Sequence, residues 1–246
     1  MIRRMIRLVN LNKSFRDNPV LRDLNLTIPG GQTTVIIGRS GGGKSVLLKH
    51  IIGLIQPDSG EIWVDDDELT RLKEKDLYRV RKRFGMLFQE GALFDSMNVG
   101  QNVAFPIFEH RKLPFAEVQK LVAEKLDLVG LPGIEDKMPA ELSGGMRKRV
   151  ALARAIALDP DIMLFDEPTT GLDPIMTAAI DELIMSTQQR FNMTCVVISH
   201  DIQSVFRIGH KIAMLYEGRI IEEGTPEEFR NSKNELVQNF LSPLCR

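Results

Sequence analysis

Apolar residues recur along the chain in two periods, and the switches between them outline an architecture. Ile6, Leu8 and Leu11 open a strand-like pattern, and Leu24, Leu26 and Ile28 alternate with polar neighbours up to the Pro29-Gly30-Gly31 turn. Thr33-Thr34-Val35-Ile36-Ile37 is short, β-branched and free of charge, which predicts a buried strand. A polar loop over 38–45 leads into a helix over 46–52. Further strands are predicted at 61–64, 84–88, 162–165 and 194–198, and a closing hairpin at 212–216 and 219–222 around Glu217-Gly218. Helical spacing runs over 71–83, where the segment is charged, and over 116–129, where Val118, Leu121, Val122, Leu126 and Val129 form one face. Another helix spans 147–158 and stops at Asp159-Pro160. Strands alternating with helices, with unusual residues gathered at strand ends, describe an α/β nucleotide-binding sheet. The helical stretch between Gln89 and Pro160 reads as a lobe of its own.

Composition narrows this picture. A chain of 246 residues with 43% hydrophobic content can bury the core of one compact, lobed domain. Its 32 basic and 33 acidic residues leave a formal net charge of -1, which argues against nucleic acid as a partner. No apolar run approaches the ~18 residues of a membrane span. The basic start, Met1-Ile2-Arg3-Arg4, has no apolar stretch behind it, so it does not read as a signal peptide. Cys195 lies in an apolar run and Cys245 is next to last, with neither disulfide nor metal spacing, as expected in a reducing compartment. Asp65-Asp66-Asp67 reads as a solvated turn, and Arg79, Arg81, Lys82 and Arg83 as a wet face.

The chemistry concentrates in a few segments. Gly38-Arg39-Ser40-Gly41-Gly42-Gly43-Lys44-Ser45 has the phosphate-loop pattern between a strand and a helix, and Val46 continues it into that helix. The loop's backbone amides are placed to cradle a β-phosphate, Lys44 to pair with β/γ oxygens, and the Ser45 hydroxyl to hold Mg²⁺. Asp166 ends an apolar strand and is a second Mg²⁺ ligand. Side chains alternate along a strand, so Glu167 points elsewhere, toward the attacking water as general base. Gln89 and His200 also sit at strand ends. Gln89 can meet the metal or the water, and His200 the γ-phosphate. Phe15 can stack its ring on adenine, and a core position for it is also open. Leu142-Ser143-Gly144-Gly145-Met146 supplies an N-cap serine and two glycines at another helix start, so the chain has a second phosphate-seeking helix end.

Phe15, the 38–45 loop, Gln89, residues 142–146, residues 162–167, Gly171-Leu172-Asp173 and His200 occur in the order of the A-loop, Walker A, Q-loop, signature, Walker B, D-loop and H-switch of ATP-binding cassette (ABC) transporter ATPases. The chain resembles that family along essentially its whole length, with every catalytic position intact. A P-loop kinase or GTPase leaves the signature and His200 unexplained. The resemblance implies a P-loop NTPase fold: a RecA-like core sheet with an antiparallel β subdomain (1–90 and 160–246) and an inserted α-helical subdomain (91–159). It implies ATP and Mg²⁺ as cofactors and a head-to-tail homodimer. Ser143, Gly144 and Gly145 of one subunit then complete the γ-phosphate site of the other, with Asp173 across the interface.

A finer resemblance lies in Met86-Leu87-Phe88-Gln89-Glu90-Gly91-Ala92-Leu93-Phe94-Asp95 and Asn102-Val103-Ala104-Phe105-Pro106, which are similar to the ATPase subunits of MCE lipid-transport (Mla-type) systems. It implies permease subunits docking near residues 89–108, with Leu93 and Phe94 partly buried beside an apolar groove. It also implies an MCE-domain protein and a small regulatory subunit as further partners, a location on the cytoplasmic face of the inner membrane, and phospholipid cargo. An amino-acid or metal importer is the alternative transport class. A soluble repair or translation ATPase is disfavoured, because no long coiled coil and no second cassette is present. For residues 234–246, with Leu236, Val237, Phe240 and Leu241 at helical spacing, packing across a dimer and capping its own subunit are both open.

Overall fold

The computed structural model describes residues 4–242. Its strands are β1 (Ile6–Phe15), β2 (Asn18–Ile28), β3 (Thr33–Ile37), β4 (Ser59–Val64), β5 (Asp67–Glu68), β6 (Phe84–Leu87), β7 (Ile162–Asp166), β8 (Thr194–Ile198), β9 (Lys211–Tyr216) and β10 (Arg219–Gly224). The helices are α1 (Lys44–Ile51), α2 (Glu74–Arg81), α3 (Val99–His110), α4 (Phe115–Leu128), α5 (Gly144–Ala155), α6 (Pro174–Phe191), α7 (Ile202–Ile208), α8 (Pro226–Arg230) and α9 (Glu235–Leu241).

Two sheets result. One is antiparallel in the order β2-β1-β4-β5, with Ile6 paired to both Ile28 and Val64. The other runs β10-β9-β3-β8-β7-β6, parallel except for the terminal β10 hairpin strand. The inner strands β3, β7 and β8 are buried at every position. Alternation then divides each strand between two cores. Val35, Ile37, Met163, Phe165, Cys195 and Val197 face the cluster shared with α3, α4, α5 and α6. Ile36, Ile162, Leu164, Val196 and Ile198 face the one shared with α1 and the antiparallel sheet. Burial on both faces explains why these strands read as unbroken apolar runs. It also pushes the Cys195 thiol up to about 12, so it is an inert hydrophobe.

The structure differs from the sequence pattern where polar groups are buried or paired. The helix expected over 71–83 is confined to α2. The neighbouring basic cluster is not simply a wet face. Arg81 pairs with Glu74 at 2.6 Å, Arg79 with Asp67 at 3.3 Å, and Arg83 with both Asp65 and Asp161, at 2.7 and 3.0 Å. The 65–67 acidic turn is therefore ion-paired at Asp65 and Asp67. The helix expected over 147–158 starts earlier, at Gly144, and ends at Ala155. Within the 234–246 run, α9 (Glu235–Leu241) forms behind an Asn234 cap, with Val237 and Leu241 buried in the chain's own core, and residues 243–246 lie outside the described residues. Cys245 and the start of the basic N-terminal run lie outside the described residues.

His50, on α1, is fully buried, and its Nδ1 donates to the Val46 carbonyl at 2.7 Å. Burial lowers its pKa from the ordinary 6.5, so the folded chain keeps it neutral where the unfolded chain takes up a proton. Its contribution to stability is complete above pH 6.5 and is lost as pH falls below that value. His50→Asn, which cannot take up a proton, is expected to flatten the fall of Tm as pH drops below 6.5, as followed by thermal melts.

Candidate active site

The phosphate loop leaves β3 at Gly38 and enters α1 at Gly43, and both glycines are required by their surroundings. A Cβ on Gly38 would meet the Leu215 carbonyl at 2.2 Å. One on Gly43 would meet Val20 at 2.9 Å, from a backbone at φ +93. Gly43 offers no side-chain cap, and the first turn of α1 holds no acidic residue, so its amides remain available to an anion. Lys44 folds back over the loop and donates to the carbonyls of Gly38 and Arg39, at 2.8 and 3.0 Å. Burial lowers its pKa, against the opposing charges of Glu167 and Asp166. The cleft in front holds about 430 Å³ and is lined by Ser40, Gly41, Gly43, Lys44, Ser45, Val46, Gln89 and Glu167, with Val20 as its apolar wall.

At the end of β7, the Ser45 hydroxyl donates to Asp166 Oδ1 at 3.0 Å. Burial raises the pKa of Asp166 even though Ser45 opposes the shift, so its carboxylate gains from a nearby cation. Hydroxyl and carboxylate oxygens facing one another are hard donors that suit Mg²⁺. Among the described residues no group of three or more His, Cys, Asp or Glu gathers to hold a metal. Mg²⁺ at this place would take its remaining ligands from nucleotide phosphates and water, as is usual for that ion. Protonation of Asp166 removes the charge it offers, and its raised pKa brings protonation nearer to neutrality. Mg²⁺-dependent nucleotide affinity is therefore expected to weaken as pH falls toward the carboxylate range, sooner than an ordinary aspartate would allow. Titrations at a series of pH values check this, with Asp166→Asn abolishing the dependence.

Glu167 lines the phosphate cleft but lies just beyond β7, so strand alternation does not set its aim. Its amide still donates to Ile198 O at 3.0 Å, but its φ of +50 is left-handed, so a backbone turn beyond β7 redirects the side chain. Glu167 Oε2 accepts from Thr170 Oγ1 at 2.8 Å and stands 3.2 Å from His200 Nδ1. His200, 56% exposed, thus faces the carboxylate in this structure. Gln89 is exposed beyond β6 and lines the same cleft. Phe15 ends β1 and is 44% exposed, which settles the open choice against a core position; Lys13 Nζ lies 5.6 Å from its ring centre.

The second helix end is built as a separate feature. Ser143 caps α5 and accepts from the Met146 amide at 3.3 Å. Ser143 and Gly144 are exposed, whereas Gly145 is buried where a Cβ would collide with Met176. Asp173 caps α6, accepting from the Ile175 and Met176 amides at 2.9 and 3.0 Å. Lys44, Ser45, Gln89, Asp166, Glu167 and His200 are brought together, but Ser143, Gly144, Gly145 and Asp173 do not line the phosphate cleft. Two contributors escaped the sequence reading. Thr170 carries no motif signal, and Lys148 is hidden inside the run Arg147-Lys148-Arg149.

A larger cleft of about 560 Å³ opens between β6 and α3, lined by Met86, Phe88, Phe94, Phe105, Pro106 and Leu158 among others. Leu93 is half-buried as expected. Phe94 is 41% exposed, with its ring 4.9 Å from that of Phe105.

Comparison with known proteins agrees with this geometry. Residues 21–170 match the model of the ABC transporter family. The chain is 46% identical, over 96% of its length and 90% of the relative's, to an intermembrane phospholipid transport ATP-binding protein, MlaF, of Haemophilus influenzae. It is 44% identical over 94% of its length to a probable ribonucleotide transport ATP-binding protein, mkl, of Mycobacterium tuberculosis, and spans only 65% of that relative. The fold superimposes with a TM-score of 0.83, at 30% identity over 90% of this chain and 98% of the other, on a dimeric ATP-binding cassette in a post-hydrolysis state bound to ADP and Pi.

Proposed function

We infer the function from one premise: the chain belongs to the ABC transporter family. It is the ATP-hydrolysing subunit of such a transporter, closing as a homodimer on ATP to drive a separate membrane permease. One observation carries the dimer. Ser143 and Gly144 present a helix start to solvent, away from the phosphate cleft of their own chain. A second copy, placed head to tail, brings that helix end to the first copy's γ-phosphate.

In this reading the 38–43 amides hold the β-phosphate, and Lys44 turns from its two carbonyl partners to the β/γ oxygens. Ser45 and Asp166 hold Mg²⁺, with Gln89 beside it; the ion supplies charge neutralisation at the transferring phosphoryl group. Glu167 takes the proton of the attacking water, and His200 fixes the Glu167 carboxylate while reaching the γ-phosphate side. Phe15 stacks on adenine. Asp173, exposed at the start of α6, faces the partner. Ser143→Arg is expected to leave ATP affinity of the monomer within about threefold and to abolish ATP-dependent dimerisation. A proportionate loss of monomer affinity would place the signature in its own chain's site.

The apolar cleft beside Phe88, Phe94 and Phe105 is the docking place for the permease, on the cytoplasmic face of the inner membrane. Among the described residues no helix is long and apolar enough to cross a membrane. The cargo is phospholipid, with an MCE-domain protein and a small regulatory subunit in the complex. The similarity to the Haemophilus protein and the 86–106 segment support this. The name of the mycobacterial relative supports ribonucleotide as the second reading. Purifying the membrane complex with Glu167→Gln, and identifying its subunits and bound lipids by mass spectrometry, decides between them. An MCE-domain subunit with phospholipid supports the lipid reading, whereas a periplasmic solute receptor or a nucleotide cargo sinks it.

A further inference from the structure

Lys148 is a lysine buried within a helix that otherwise presents apolar residues inward. It is 7% exposed, on α5, five residues after the Ser143 cap. A buried ammonium costs free energy unless its protons are bonded. Here Nζ donates to the Thr170 carbonyl at 2.9 Å and reaches the Glu167 carbonyl at 3.5 Å. Those carbonyls bracket a tight turn. The Thr170 amide donates to Glu167 O at 3.3 Å, and the Thr170 hydroxyl donates to the Glu167 carboxylate at 2.8 Å. The turn starts at a glutamate whose φ is +50, a strained conformation that persists only when its surroundings impose it. Lys148 is the charged group of α5 that bonds to that turn. Burial lowers its pKa, and Glu90 and Glu167 act to keep it charged, so acidic residues beside Gln89 and at the candidate base both lie within its field.

We propose that Lys148 is a positioning residue for Glu167: it fixes the 167–170 turn to α5, so that the base is held by the helix that begins at Ser143. Because Ser143 and Lys148 share one helix, movement of the phosphate-seeking helix end carries the support of Glu167 with it. This rests on the reading of Glu167 as general base; Lys148 does not line the phosphate cleft and acts through the turn.

Lys148→Met keeps the stem and removes the donors. Turnover is expected to fall by on the order of 10–100-fold, as for a misplaced catalytic group, with KM for ATP and nucleotide affinity within about threefold. Lys148→Arg, which keeps charge and donors, should restore most of the rate. In single-turnover measurements, adding Lys148→Met to Glu167→Gln should slow the residual reaction little further, because both act on one step. A wild-type rate in Lys148→Met overturns the proposal, as do a fall in ATP affinity matching the fall in rate, or full additivity with Glu167→Gln. If Lys148→Met does not fold, Lys148→Leu, which also removes the donors, carries the same comparison with the same outcomes. Near-normal turnover in Glu167→Gln alone strikes at the base reading. A stalled Glu167→Gln beside a wild-type Lys148→Met strikes at Lys148 only.

Discussion

Glu167→Gln is expected to stall ATP turnover by about 10²–10⁴-fold, the range of a positioned general base, while ATP still binds and an ATP-bound dimer accumulates. The substitution is nearly isosteric. An amide oxygen can still accept the Thr170 hydroxyl, which lies 2.8 Å from the carboxylate. The left-handed turn and the amide bond to Ile198 do not depend on the carboxylate charge. What is lost is the capacity to take a proton from water. The phosphate loop is untouched, so affinity should change little. Steady-state phosphate release, ATP binding and size-exclusion chromatography with ATP together check the three parts. Near-normal turnover would remove Glu167 from the role of base.

Lys44→Ala should act one step earlier and lose the nucleotide itself. Lys44 is 5% exposed and held by two loop carbonyls, so its ammonium is already desolvated beside the loop before it turns to a phosphate. Truncating one partner of a buried, hydrogen-bonded charge pair costs about 2–5 kcal/mol, which corresponds to a loss of affinity of roughly 30-fold to several thousand-fold. The Gly38 and Arg39 carbonyls also lose their donor, which loosens the loop. Equilibrium binding of a fluorescent ATP analogue measures the loss. Unchanged affinity would show that the loop amides alone hold the phosphates. The two variants are thus expected to separate cleanly, one bound and idle, the other empty.

The central strands were legible because both faces of β3, β7 and β8 are apolar, leaving no competing pattern. The two longest helices not assigned from the sequence, α3 and α6, both bury polar groups. α3 carries Pro106 inside it and Asn102 at a fully buried position, where that side chain bonds to the backbone of Phe94, Met97 and Asn98. α6 turns Thr177, Asp181, Thr187 and Gln188 inward, and Asp181 is held by Ser204 and Arg207 of α7, at 2.8 and 2.9 Å. Polar residues in such places erase the apolar stripe by which a helix is recognised. The site was legible where a residue type coincides with the phosphate-loop pattern, as at Lys44 and Ser45, or with a strand end, as at Gln89, Asp166, Glu167 and His200. The aim of Glu167 was not, because it depends on a positive φ rather than on strand alternation. The support from Thr170 and Lys148 is a matter of tertiary contact, which spacing along the chain does not carry.

The collision that any side chain on Gly145 would have with Met176 also constrains the mechanics of the molecule. Gly145 sits under Met176, and Leu172 lies 4.0 Å from where a Cβ on Gly144 would stand. Lys148 adds its bonds to the same neighbourhood. The first turns of α5 and the segment from Glu167 to Met176 are therefore clamped at several points along one seam. These contacts oppose any sliding of the two segments past each other. The chain enters and leaves the 91–159 segment away from this seam. There Ala92 and Asp159 adopt left-handed backbone, and Asp159 is tethered by Lys125 and Arg111. Cross-linking residues across the seam should thus be tolerated by the working enzyme, whereas bracing the two connections should arrest it.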